Sequence, residues 1–420
     1  MVSYVLTYAS LLLGCGRVAD LLGHSRVLLW GLTGSILAFL ACGFAPSFLW
    51  LLTARVLQGV SVALMLAAAP ALVTLAAPPD MRGRALGLFQ MGAAMGFALG
   101  PLLGGILVDA FNWRAVYLFR IFPAILLIFL VIRRPIPRTQ PVQETQGFDL
   151  LGIVTLAGSV AGILLALNRS RDLGWTSPFV LALLVGSGGC FASFLAVETR
   201  VRAPIVDLGL FRHSAFALAN LLNVLANCTM FAIWLLVPYY LVNILGYPAT
   251  TGGLLLMTCP LTTALTAPLV GRLVDKLGTG LLSAVGLGFE TAGLWGISSL
   301  DASASTLEIL AMLGLVGLGL GVFQVPNMSF VMGAIPREQQ GVAGGMSQMM
   351  RTLGIVLGVT GASILFDDYR ASHAVRLQLA DANDIQTFLP AFQNVFLIST
   401  IVCAAAVCLA LLRRQDSMAT

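Results

Sequence analysis

Long apolar runs recur along the whole chain, and short polar connections separate them. Because a helix needs about 20 apolar residues to cross a bilayer, each run is a candidate membrane span. We predict thirteen spans, at residues 2–15, 27–45, 48–70, 85–108, 115–132, 149–167, 178–197, 216–243, 250–270, 281–300, 306–325, 342–366 and 389–412. The first is too short to cross, since as a helix it would extend only about 21 Å. We therefore expect the chain to begin inside a helix.

The composition excludes a soluble globular protein. Of the 420 residues, 58% are hydrophobic and 10% are charged, and the mean hydropathy is +0.94, whereas a soluble domain is about 25% charged. The net charge of +5 comes from basic residues scattered singly between apolar runs, which argues against nucleic-acid binding. The sequence therefore predicts an all-α polytopic membrane protein.

The sequence carries no motif of an enzyme or of a cofactor site. The phosphate-binding pattern GxxxxGK[ST] is missing, so we expect no ATP-driven step in this chain. No catalytic triad or metal-ligand spacing stands out, and the three histidines, His24, His213 and His373, fall in predicted connections. We expect no enzymatic activity, no cofactor and no metal.

Basic residues are distributed unevenly between alternate connections. Fifteen lie in one set of connections and five in the other. Because cytoplasmic connections carry the excess of Lys and Arg, the first connection and the C-terminus are predicted to lie in the cytoplasm. The protein is expected in the cytoplasmic, or inner, membrane.

Two segments of the first half recur in the second half. Gly16–Gly23 is echoed by Gly271–Gly278 at an offset of 255, and Gly83–Gly100 by Gly341–Gly358 at an offset of 258. These echoes indicate a parallel duplication about an axis along the membrane normal. Aligning the halves predicts three parts, which are an N-terminal bundle that lacks its first helix (1–135), a two-helix insert with its linkers (136–214) and a C-terminal six-helix bundle (215–420).

A few polar side chains lie deep in predicted spans, where a charge is costly. Glu290 is the one carboxylate near the middle of a span, and Arg55 and Arg351 are the deepest cations. Glu290 is expected to handle a proton or a cationic substrate, to pair with an arginine, or to stay neutral against a helix. Further polar groups either line a central cavity or bond between helices, namely Asn223, Asn227, Gln324 and Asn327.

Four glycines recur every fourth residue along one predicted helix, at Gly92, Gly96, Gly100 and Gly104. This spacing places hydrogen-only side chains on one face, so that a neighbouring backbone can approach closely. Pro101 removes one backbone hydrogen bond and is expected to bend the helix.

Three segments resemble motifs of the major facilitator superfamily, and specifically of its 14-helix drug:proton antiporters, the EmrB and QacA group. The segments are Gly16-x-x-x-Asp20-x-x-Gly23-x-x-Arg26, Leu51-x-x-x-Arg55-x-x-Gln58-Gly59, and Gly92 to Gly105 with Gly100-Pro101 and Gly104-Gly105. The chain departs from the pattern in Leu21 and His24, which stand in place of basic residues, in Arg120, and in lacking the first helix with its acidic motif.

The resemblance implies roles for these residues. Arg55, with Gln58 on the same face, would bias the proton occupancy of a carboxylate, although an arginine there can also snorkel to the interface. The Gly92–Gly105 segment would set antiport geometry, beyond plain helix packing. Asp20 and Asp275 are expected in short cytoplasmic turns, either as helix caps or as latches of a gate that also includes Gly16, Gly23, Arg26, Gly271 and Gly278.

The function predicted from these patterns is export of drugs or amphipathic small molecules in exchange for protons, by alternating access of two helix bundles. A proton-coupled uptake transporter for a small metabolite and a truncated, transport-inactive membrane protein are the alternatives. The expected partners are a small-molecule substrate, protons and the lipid bilayer, and a periplasmic adaptor is left open.

Overall fold

The structure is a computed structural model that describes residues 2–133, 149–201, 209, 214–335, 340–376 and 385–416. Within these ranges every regular element is a helix, and thirteen helical stretches are long and apolar enough to cross a membrane. The predicted fold class and number of spans are therefore confirmed.

The described residues of the first half include six α-helices. They are α1 (Val2–Leu22), α2 (His24–Gly43), α3 (Phe48–Ala76), α4 (Arg82–Ala110), α5 (Trp113–Phe119) and α6 (Ile121–Arg133). Short polar side chains fix two of the helix starts by accepting hydrogen bonds from otherwise unpaired N–H groups. The Ser47 hydroxyl oxygen accepts from Trp50 N at 3.3 Å, and the side-chain Oδ1 of Asn112 accepts from Arg114 N at 2.9 Å.

Between residues 149 and 416, the described ranges include nine further α-helices. They are α7 (Leu150–Leu173), α8 (Pro178–Glu198), α9 (Ser214–Tyr239), α10 (Ala249–Leu256), α11 (Thr258–Leu277), α12 (Gly280–Ser298), α13 (Thr306–Gly333), α14 (Gln340–Arg376) and α15 (Ile385–Asp416). Pro238 lies near the end of α9, and the chain continues as a π-helical turn from Tyr240 to Ile244. A proline that breaks the regular hydrogen-bond ladder accounts for this change of winding.

The residues divide into two compact units. The first unit comprises Met1–Pro78, Leu103–Phe216 and Val331–Met349, and the second comprises Pro79–Leu102, Ala217–Phe330 and Met350–Thr420. The repeat makes α4 and α14 equivalents, and each of them divides its residues between the two units. The sequence-based boundary at 135 falls outside the described residues, and the boundary at 214 coincides with the first residue of α9. Both domain boundaries stay predictions.

The second unit has a large apolar core to which α9 contributes many side chains. Leu222, Ala226 and Ile233 of α9 are fully buried in it, as is Tyr240, which directly follows α9. The Tyr240 ring stacks on the Phe392 ring of α15, with centroids 4.8 Å apart. Buried aromatic pairs of this kind contribute about 1 kcal/mol beyond their area, so α9 is held firmly within this unit.

The predicted end of the first span was wrong. The chain does not leave the helix at residue 15, because α1 continues to Leu22, and its candidate span of 20 residues is long enough to cross. The expected turns that hold Asp20 and Asp275 are likewise helical, in α1 and α11. The glycines that follow, Gly23 and Gly278, do end these helices, with φ of 92° and 80°.

Two other predicted spans are interrupted. Arg120 is not inside a continuous helix, since it lies exposed at the junction between α5 and α6. Met257 separates α10 from α11 in the same way. In both places the flanking helices still add up to one candidate span, so the topology is unchanged.

Candidate functional site

The Asp20 carboxylate caps a helix that is distant in sequence. Its Oδ1 accepts from Gly341 N at 2.6 Å and its Oδ2 accepts from Val342 N at 3.0 Å, across more than 300 residues. These N–H groups lie in the first turn of α14, which begins at Gln340 and where the helix itself provides no acceptors. A charged acceptor at this end neutralises the positive end of the helix dipole.

His24 completes this contact from the start of α2. Its Nε2 lies 3.1 Å from Asp20 Oδ1, and only 3% of the residue is exposed. The expectation that all three histidines lie in connections was therefore wrong for His24, and it was also wrong for His373, which lies in α14. His213 lies outside the described residues. The imidazole ring packed beside this buried carboxylate limits the positions that the carboxylate can take.

Close backbone packing surrounds the two echoed segments. A Cβ atom on Gly16 would collide with the Gly341 carbonyl, and one on Gly345 would lie 2.5 Å from Leu12 O. In the second unit a Cβ on Gly87 would lie 2.5 Å from Ala267 O, and one on Gly271 would lie 2.5 Å from the carbonyl of Gly83. The two repeated segments therefore make equivalent backbone contacts in the two units.

The side chain of Asp275, the counterpart of Asp20, lies outside the described residues.

Arg55 lies in the first unit, in the second turn of α3, as predicted. Its Nη1 donates to Gln58 Oε1 at 3.0 Å, and its guanidinium lies 5.8 Å from the ring centroid of Tyr4 and 4.9 Å from that of Tyr117. The two rings favour a cation between them. The predicted Arg55–Gln58 pair is therefore present, and the tyrosines are contacts that the sequence did not indicate.

Glu290 lies on α12 in the second unit and is fully buried. Its Oε1 accepts from Thr229 Oγ1 of α9 at 2.9 Å, and its Oε2 has no hydrogen-bond partner among the described residues. No arginine is seen to pair with it in the described part of the chain. A carboxyl group in such surroundings is costly to ionise, which makes Glu290 the clearest protonatable group within a described span.

The four predicted cavity amides do not form one cluster. Asn227 Nδ2 donates to Asn223 Oδ1 at 3.0 Å on α9, and Asn327 Nδ2 donates to Ala219 O at 3.1 Å. Gln324 accepts from Gln90 Nε2 of α4 at 2.8 Å. The bond from Asn327 joins α13 to α9, so this amide bonds between helices, which is one of the two roles that the sequence left open.

Arg351, the other deep cation predicted from the sequence, lies half-buried in the first third of α14.

An aromatic group on α4 and α9 was missed by the sequence reasoning. The Phe97 ring packs edge-on against Trp234, with centroids 4.9 Å apart, and against Phe231 at 6.2 Å. Phe97 follows Gln90 by seven residues, and Trp234 follows Asn227 by seven, so each aromatic shares a helix face with a polar group. That spacing is the signal that could have identified them.

The four spaced glycines of α4 face open space. No described atom lies within 4 Å of the position that a Cβ would take on Gly92, Gly96, Gly100 or Gly104. The equivalent glycines of α14, Gly354 and Gly358, are closely packed instead. Cβ atoms on them would collide with the carbonyls of Val224 and Cys228 of α9. Nothing is described for the side chain of Pro101 or around Gly105, so the predicted bend stays a prediction.

The first unit thus contains a capped helix end, and the second contains a buried carboxyl group and polar groups on apolar helices. Within the described ranges no group of three His, Cys, Asp or Glu residues could hold a metal ion.

Comparison with known proteins shows which proteins this chain is similar to. The Multidrug resistance protein Stp of Mycobacterium tuberculosis (strain CDC 1551 / Oshkosh) is 32% identical over 362 residues, which are 85% of this chain and 66% of Stp. The Riboflavin transporter RibZ of Clostridioides difficile (strain 630) is 27% identical over 368 residues, which are 87% of this chain and 78% of RibZ. The chain therefore spans just under two thirds of the length of Stp.

A solved structure has the same fold. The human organic anion transporter MFSD10 (TETRAN) superposes with a TM-score of 0.67 at 19% identity, over 96% of this chain and 82% of that chain. The family model described as Major Facilitator Superfamily matches residues 1–359 and 219–419. With its thirteen candidate spans, the chain is a multi-pass membrane protein that belongs to the Major Facilitator Superfamily.

Proposed function

We propose that this chain exports drugs or other amphipathic small molecules in exchange for protons, as a member of the 14-helix antiporter group of its family. The similarity to Stp, a protein named for multidrug resistance, supports the substrate class. The antiporter-like segment Gly92–Gly105 supports the direction of transport. Because the chain spans 66% of Stp, activity, substrate and coupling all belong to this proposal.

The observation that carries the proton part of the proposal is the burial of Glu290. It is the one charged residue of α12 and is fully enclosed by apolar helices. A group in this position can be neutral in one conformation and ionised in another only if the surroundings change. Alternating access of the helix bundles would supply that change, and opening would require Asp20 to release the first turn of α14.

Glu290→Gln is expected to abolish proton coupling while the protein still folds, because glutamine keeps the shape and the acceptor oxygen. In lipid vesicles that contain the purified protein and a fluorescent amphipathic dye, an imposed pH gradient should drive export at least about tenfold more slowly in this variant. Glu308→Gln is the matched control, because Glu308 is exposed at the start of α13. Equal export by wild type and Glu290→Gln would remove Glu290 from the mechanism.

Uptake of a metabolite is the second candidate, and the similarity to RibZ favours it. The same vesicles distinguish the two functions. Uptake predicts that external riboflavin exchanges with labelled riboflavin inside and that dyes are ignored. Dye export that riboflavin does not inhibit supports the drug exporter.

The cytoplasmic position of the C-terminus is also part of the proposal. The excess of basic residues predicts that the connection around Ser303, between α12 and α13, lies on the outer side. An epitope inserted at exposed Ser303 should react with antibody on intact cells or spheroplasts. One appended to the C-terminus should react only after the membrane is permeabilised. Reaction of both epitopes without permeabilisation would contradict the proposed orientation.

A further inference from the structure

The hydrogen bond between Glu290 and Thr229 joins α12 to α9 within the second unit. We infer that Thr229 is a positioning residue whose single hydroxyl proton turns between Glu290 and the backbone of α9, so that the protonation of Glu290 changes the shape of α9. This inference rests on the proposed function in one respect, since it takes Glu290 to change its protonation during transport.

The geometry around the Thr229 hydroxyl offers three acceptors for one proton. Oγ1 lies 2.9 Å from Glu290 Oε1, 3.1 Å from Leu225 O and 3.1 Å from Ala226 O. A hydroxyl donates one hydrogen bond and can accept others. The Thr229 hydroxyl can therefore donate either to Glu290 or to a carbonyl of α9, but not to both at once. It can bond to both only when Glu290 is the donor of the bond between them.

The proton balance defines two arrangements. When Glu290 is ionised, the Thr229 hydroxyl donates to Oε1, and the two α9 carbonyls keep only their helical partners. When Glu290 carries a proton, its O–H donates to Thr229 Oγ1, and the Thr229 hydroxyl turns to Leu225 O or Ala226 O. No bond other than these hydrogen bonds forms or breaks, and the proton enters or leaves at Glu290.

The second arrangement affects the shape of α9 because a threonine that bonds back to the preceding turn bends a helix. The carbonyls concerned lie between Val224 O and Cys228 O, which pack against Gly354 and Gly358 of α14. A bend here changes the contact between α9 and α14. It also moves Asn223 and Asn227, which lie on the same part of α9.

The surroundings leave Thr229 as the group that responds to Glu290. The titratable groups that lie near Glu290 on packed helices are the thiols of Cys259 on α11 and Cys403 on α15. Helix α9 carries no charged residue, and on α12 Glu290 is the only one. Because Glu290 Oε2 has no partner in the described structure, the Thr229 hydroxyl is the one hydrogen bond that Glu290 makes there.

Infrared spectroscopy of the purified protein in lipid tests the inference directly. Glu290→Gln identifies the carbonyl band of protonated Glu290 by removing it. Thr229→Val should move that band to higher wavenumber, because the acid loses its hydrogen-bond partner, and should slow proton-driven export about tenfold. Thr229→Ser should restore both the band and export to within about twofold, and Thr229→Cys, a weaker partner, should lie between them.

Thr263→Val is the matched control. Thr263 is also a buried threonine that bonds between helices, donating to Gly317 O at 2.7 Å, but it does not contact Glu290. Loss of the Thr263 hydroxyl should leave the carbonyl band of Glu290 at its wild-type wavenumber. An unmoved band in Thr229→Val, or failure of Thr229→Ser to restore it, would overturn the inference. If instead Glu290→Gln exports normally while the band responds to Thr229, the proposed proton coupling fails and the hydroxyl contact stands.

Discussion

Gly358→Leu is expected to destabilise the protein strongly, by about 3 kcal/mol, whereas Gly100→Leu at the equivalent position of the first half should change stability little. A side chain on Gly358 would meet the carbonyl and Cα of Cys228, and backbone atoms cannot turn aside as a side chain can. No described atom lies within 4 Å of the corresponding position on Gly100. Leucine also favours a helix more than glycine does.

The comparison controls for sequence context because the repeat aligns the two glycines at an offset of 258. Gly354→Leu and Gly96→Leu form a second matched pair with the same contrast in contacts. Thermal unfolding in detergent, followed by tryptophan fluorescence, should show a lower Tm for both α14 variants alone. Equal losses in the two halves would contradict the contrast in packing between the glycines of α4 and those of α14.

The spans could be predicted from the sequence because apolar length alone decides whether a helix can cross a bilayer. Helix ends were predicted less well, and the end of α1 shows why. Arg17 and Asp20 were interpreted as loop residues since they are charged, yet both are 3% exposed within the helix. The Asp20 charge is tolerated because it meets the N–H groups of a helix more than 300 residues away, and that partner cannot be read from local sequence.

The candidate site, too, could be predicted only in part. Glu290 stands out in the sequence as a carboxylate among apolar residues, and so its burial could be predicted. Its partner Thr229 could not, because threonines are common in apolar helices and the contact joins residues 61 positions apart. Phe97 and Trp234 carry no charge and so looked like ordinary apolar positions until the structure placed their rings together.

Asp20→Ala is expected to release the first turn of α14 and to lower stability by about 3 kcal/mol. The carboxylate accepts two backbone N–H groups that are buried with it, and each hydrogen bond to a charged group contributes about 1.5 to 3 kcal/mol. Asp20→Asn keeps one acceptor oxygen without the charge, so its effect should be intermediate. The exposed Asp80 is a suitable control, and Asp80→Ala should leave stability unchanged.

Hydrogen exchange separates this cap from a general loss of stability. The amides of Gly341 and Val342 should exchange faster in Asp20→Ala, while the amides of α12 in the second unit keep their protection. Export should fall as well if Asp20 holds the gate closed between cycles, because an unlatched α14 would let protons leak down their gradient. Unchanged exchange at Gly341 and Val342 would show that another group caps α14, and the latch assigned to Asp20 would have to be abandoned.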